Sequence, residues 1–108
     1  MCSSDLLFLE EYGFEVTSAK GLGFVQIPEG AATEKILFKL GAEAYANSKK
    51  ADALVMSCGA LRTLDVIVPL EKAISVPVVS STPHGLWHCA RMVGVKNKIE
   101  GFGMVMAA

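Results

Sequence analysis

Two short apolar runs, Ala53-Leu54-Val55-Met56 and Val76-Pro77-Val78-Val79, stand on either side of one helical stretch. No other feature limits the fold so tightly. Each run has strand length, and the β-branched content of the second favours a pleated surface. Between them, Thr63 to about Ser75 places Leu64, Ile67, Val68 and Leu70 at helical spacing, with Pro69 inside and a kink or an early restart expected there. Strands joined by a helix run parallel, because only a tight hairpin joins antiparallel neighbours directly. The chain is therefore an α/β protein with right-handed crossovers.

The rest of the chain continues the alternation. Ser3, Ser4 and Asp5 are helix-capping types ahead of Leu6 to Tyr12, and Gly13 stands where a left-handed residue ends a helix. Phe14 to Thr17 reads as a short strand. Residues 18 to 30 carry Gly21, Gly23, Pro28 and Gly30 and form a long loop. A helix fits Ala31 to about Ser48, with Ile36, Leu37, Leu40, Ala44 and Tyr45 on one side and Gly41 interrupting it. Ala53 to Ser57 and Val76 to Ser80 are the buried strands. Pro83 opens a last helix in the first-turn position, and Gly94 stops it after Val93. One detail stands out: the first helix has no strand before it. The pattern thus suggests a fragment, one domain over residues 1–108 lacking its first strand.

Composition narrows the function. The formal net charge of −1 gives no electrostatic case for nucleic acid or an anionic membrane. No apolar stretch approaches the roughly 20 residues that span a bilayer. Hydrophobic residues make up 52% and charged ones 19%, which leaves room for an apolar face that meets a partner. Three cysteines, Cys2, Cys58 and Cys89, form no spaced disulfide framework, and a reduced cytoplasmic setting is expected.

Cys58 is the residue with chemical promise. It lies one residue past the first buried strand, where open parallel sheets bind ligands. Gly59 and Ala60 are small and let a ligand approach the backbone. Free amides of the turn and of the next helix favour an anion and lower a thiol's pKa. A small carboxylate substrate is the natural guest. Against this, a free cysteine commonly serves as a small buried hydrophobe. His84 and His88 have metal-ligand spacing but no matching carboxylate motif, so no metal is assigned and both read as surface or capping residues. Cys89 is read as packing, and Cys2 as incidental. Gly21-Leu22-Gly23 is too short for a dinucleotide fingerprint. Arg62 reads as a solvated partner of Asp65.

The stretch "SCGALRTLDVIVPLEKAISVPVVSSTPHGLWHCARMVG", residues 57 to 94, resembles the C-terminal lobe of the Asp/Glu racemase superfamily. Its arylmalonate decarboxylase and maleate cis-trans isomerase branch is the most similar. Leu9 to Val16 and Gly21-Leu22-Gly23 match more weakly, in order. The resemblance implies a parallel-sheet three-layer lobe, a site between two such lobes and no cofactor. It implies that a missing N-terminal lobe is the partner supplying the rest of the carboxylate cradle. It assigns to Cys58 protonation of an enediolate after carbon dioxide leaves, or attack on the double bond of maleate, or the acid–base role of a cysteine in an amino-acid or hydantoin racemase. Gly59 and Ala60 then belong to the oxyanion site, and Ile27 and Pro28 line the pocket. Cys58-Gly59 is decarboxylase-like, whereas Leu61-Arg62-Thr63 and Leu86-Trp87-His88 lean towards isomerases. By itself the 108-residue chain is expected to be inactive. The rival class is a non-catalytic α/β domain that associates through its apolar surface.

Overall fold

A computed structural model of the chain describes residues 3–19, 33–57 and 63–108. Its elements are α1 (Ser3–Glu11), α2 (Glu34–Ala46), β1 (Leu54–Met56), α3 (Leu64–Ile74), β2 (Val78–Ser80), α4 (Ser81–Met92) and α5 (Met104–Ala107). β1 and β2 form a parallel pair, with Leu54 opposite Val78, Val55 opposite Val79 and Met56 opposite Ser80. The β1–α3–β2 crossover expected from the two apolar runs is present. Phe14 to Thr17, expected as a strand, carries no strand in the described part of the fold. Its Phe14 side chain is exposed, so among the described residues β propensity had no core to act on.

Local chemistry ends two helices as expected. At α1 the amide of Gly13 donates to Glu10 O at 3.1 Å and that of Phe14 to Leu9 O at 3.0 Å, with Gly13 at φ +88°. At α4 the amide of Gly94 donates to Arg91 O at 3.2 Å and that of Val95 to Ala90 O at 3.0 Å, with Gly94 at φ +99°. Both are Schellman closures, which need a left-handed residue that glycine supplies without a Cβ clash. α2 begins where Thr33 caps it, its Oγ1 accepting the Ile36 amide at 3.3 Å.

The core lies where α2, α3 and the sheet meet. Leu37, Val66, Ile67, Leu70 and Val78 are buried, with Phe38, Ala42, Leu54, Met56 and Ile74 packed around them. Gly41 is an adaptation to this packing. A Cβ there would sit 2.9 Å from Leu70 Cδ1 and 3.2 Å from Leu54 Cδ2, so glycine lets α2 approach α3 and β1. The α2 face turned inward is Leu37, Gly41 and Ala44, while Ile36 points out.

Four other expectations are corrected. α3 does not restart at Pro69; it is one helix whose Val66, Ile67 and Leu70 anchor it on both sides of the proline. β1 is only half-buried, with Val55 39% exposed. α4 begins at Ser81, so Pro83 takes its third position, still within the turn whose amides lack helical partners. Cys89 is exposed rather than packed, because it lies off the α4 face that carries buried His84.

The outer edge of β2 is closed by side chains. The Leu54 amide donates to Pro77 O across the pair at 3.0 Å, so strand alternation turns the amides of Val78 and Ser80 away from β1. The Val78 amide donates to Glu71 Oε2 at 2.9 Å and the Ser80 amide to His84 Nδ1 at 2.9 Å. Glu71 also accepts the Met104 amide, 2.9 Å from Oε1, and so holds the start of α5. Gly103, just before it, has φ +106°, and a Cβ there would lie 2.6 Å from Ile67 Cγ2.

Candidate functional site

The carboxyl ends of β1 and β2 lie side by side, and a helix starts from each. α4 follows β2 directly, with Ser80 as N-cap, and α3 begins after its N-cap Thr63. Neither cap residue bonds its own helix through its side chain. Instead the Thr63 and Ser80 hydroxyls hydrogen-bond each other, and both residues are buried. Two helix N-termini are thereby tied together at one rim of the sheet. Each carries the positive end of its helix dipole, an environment that favours negative charge.

Ser80 is the hub of this rim. It stands opposite Met56 in the strand register, its hydroxyl meets Thr63, and its amide donates to His84. The same His84 nitrogen lies 3.1 Å from Ser80 O. Because the Ser80 amide proton points at Nδ1, that nitrogen is an acceptor and the ring proton sits on Nε2. His84 is 6% exposed, and its Nε2 has no hydrogen-bond partner among the described residues.

Cys58, Gly59 and Ala60 lie outside the described residues, as do Ile27, Pro28, Arg62 and Cys2. What the structure describes is their frame: β1 ends two residues before Cys58, and Thr63 begins the next described segment. The two histidines separate, His84 buried and His88 exposed. Among the described residues no group of three or more His, Cys, Asp or Glu could hold a metal ion. Trp87 stacks under Arg91, whose guanidinium carbon is 4.9 Å from the ring centroid. A groove of about 270 Å³ opens between α2 and α3, lined by Phe38, Val66 and Pro69 with Glu34, Lys35 and Asp65 around it. Its two carboxylates make it a poor seat for a dianion. Among the described residues no helix is long and apolar enough to cross a membrane.

Thr63, Ser80, His84 and Glu71 were not singled out by the sequence as a connected group. The usable signal was a hydroxyl residue at the end of each strand–helix unit, Thr63 and Ser80, which reads equally well as ordinary helix capping.

The comparisons with known proteins agree with this architecture. Residues 3–106 match the family model for arylmalonate decarboxylase. Arylmalonate decarboxylase of Bordetella bronchiseptica is 35% identical over 98 residues, which cover 89% of this chain and 41% of that protein. A glycine-to-cysteine variant of arylmalonate decarboxylase in a sulfate-associated form superposes with a TM-score of 0.86 at 32% identity, over 94% of this chain and 45% of the other. Unliganded arylmalonate decarboxylase gives 0.79 at 33% identity, over 93% and 43%. The chain thus spans less than half the length of these relatives. With a family match across almost all of its residues and a shared α/β fold, the chain belongs to the arylmalonate decarboxylase family.

Proposed function

We propose that this chain is the C-terminal catalytic lobe of a cofactor-independent decarboxylase acting on an arylmalonate-like dicarboxylate, with Cys58 as the proton donor. The observation that carries the reading is the family match, which runs through residue 58 at 35% identity to a named decarboxylase. The starts of α3 and α4, neither capped by its own N-cap side chain, stand at the strand-end rim and are the kind of environment the chemistry needs.

In this mechanism one carboxylate of the substrate leaves as carbon dioxide. The electron pair of the broken carbon–carbon bond stays behind as an enediolate. Gly59 and Ala60 offer backbone amides to the enediolate oxygens, where charge develops. The Cys58 S–H gives its proton to the carbon and becomes a thiolate, which regains a proton from water. Ile27 and Pro28 line the aryl side of the pocket. The remainder of the carboxylate cradle comes from a second lobe of the same protein, as the relatives' greater length allows.

The test is decarboxylation of an arylmalonate by the complete protein. Cys58→Ser is expected to lower turnover by about 10²- to 10⁴-fold, the span that positioned general acids contribute, while the fold persists. Near-normal turnover in that variant, or conversion of maleate to fumarate in place of decarboxylation, would refute the proposal. The 108-residue chain alone is expected to lack activity, since one missing oxyanion donor already costs about 10²- to 10³-fold.

A further inference from the structure

We infer that Thr63 and Ser80 are positioning residues, a hydroxyl clasp that sets the segment carrying Cys58. The inference rests on the reading of Cys58 as proton donor. It starts from an oddity of the two helix caps. Serine and threonine at an N-cap ordinarily accept an amide of their own helix, as Thr33 does for Ile36. Thr63 and Ser80 are both N-caps, yet each leaves its helix uncapped and turns to the other, 17 residues away. Local helix stability does not explain that choice.

The topology does. Met56 stands opposite Ser80 in the strand pair. Thr63 bonds the same Ser80 through its hydroxyl. The chain is thus paired with Ser80 at Met56 and bonded to it again at Thr63, and Cys58 lies between these two points in the sequence. Ser80 itself is braced from its outer side, since its amide donates to buried His84. Thr63 is 2% exposed and Ser80 1%, so water cannot readily replace either partner. Both ends of the Cys58 segment are thereby referred to one fixed residue.

A proton donor works only if its reach to the substrate carbon is held closely, and a small displacement is costly. Thr63→Val removes the hydroxyl and keeps the branched shape. In the complete protein it is expected to lower kcat about 10- to 100-fold while KM stays within about threefold. Thr63→Ser, which keeps the hydroxyl, should recover most of that loss, and Ser80→Ala should reproduce it. The second readout is alkylation of Cys58 by iodoacetamide across pH, with exposed Cys89 as internal reference. The Cys58 profile should change in Thr63→Val and return in Thr63→Ser, and that of Cys89 should not move.

A lower melting temperature in Thr63→Val with kcat and the Cys58 profile both unchanged would make the pair merely structural and overturn the inference. If Cys58→Ser keeps its turnover, the proton-donor reading fails. The clasp still stands if Thr63→Val shifts Cys58 alkylation and Thr63→Ser restores it. Should neither Thr63→Val nor Ser80→Ala fold, the unsubstituted protein decides. A solvent-protected hydroxyl proton linking Thr63 and Ser80 in its NMR spectrum supports the clasp, and its absence overturns it.

Discussion

α1 and α3 are both short helices rich in leucine and other apolar side chains, and they end in opposite environments. In α3, Ile67 and Leu70 are fully buried, and Val66 nearly so. In α1, Leu7 is 63% exposed and Phe8 58%. The Phe8 ring meets only its helical neighbour Tyr12 in the described ring contacts, with centroids 4.7 Å apart. Both helices have sound local signals, so propensity does not separate them. α3 is held between two paired strands, and its apolar stripe faces the sheet and α2. α1 has no paired strands against it among the described residues. A helix becomes core through what packs against its apolar stripe.

The largest expected effect tests the buried side of this comparison. Leu70→Ala should destabilise the chain by about 2–5 kcal/mol in urea unfolding, through lost transfer energy and a cavity that Gly41 and Leu54 cannot fill. A loss below about 1 kcal/mol would mean that the site collapses freely and that α3 is not the keystone of the core. The next effect tests how α3 holds the sheet edge. Glu71→Gln leaves one oxygen where Val78 and Met104 amides now share two. One buried amide then faces an amide NH₂ group, at a cost of about 1–3 kcal/mol. Wild-type stability in that variant would remove Glu71 from its bracing role.

The smallest effect belongs to α1. Leu7→Ala should change stability by no more than about 0.5 kcal/mol in the 108-residue chain. A cost equal to that of Leu70→Ala would break the comparison outright. A cost that appears only in the complete protein would sharpen it, by showing that another part of the protein covers this face.

Much of the fold was legible because its signals are local. Gly13 and Gly94 end helices since only glycine enters the left-handed region freely, whatever lies nearby. The β1–α3–β2 unit was legible because two apolar runs flanking a helix form the pattern of a parallel crossover. Helix α3 was expected over Thr63 to Ser75, and these two residues prove to be its caps. The candidate site was legible only as a position along the chain. Cys58, Gly59 and Ala60 were named from the strand end and the family resemblance, and they lie outside the described residues. Cys89 was misread as packing, since helical spacing alone does not reveal which α4 face turns inward.

The sequence by itself determined where helices stop, which segments alternate, and the family to which residues 3–106 belong. These depend on backbone sterics, on periodicity and on residue identity, all of which are written along the chain. Only the tertiary structure decided that Thr63 would bond Ser80 rather than cap α3, and that His84 would receive the Ser80 amide. It also decided that Glu71, a charged residue in a helix, would be buried against a strand edge. A hydroxyl or a carboxylate has several possible partners of similar strength. Which one it takes depends on what the fold brings within about 3 Å, and that proximity has no periodicity in the sequence.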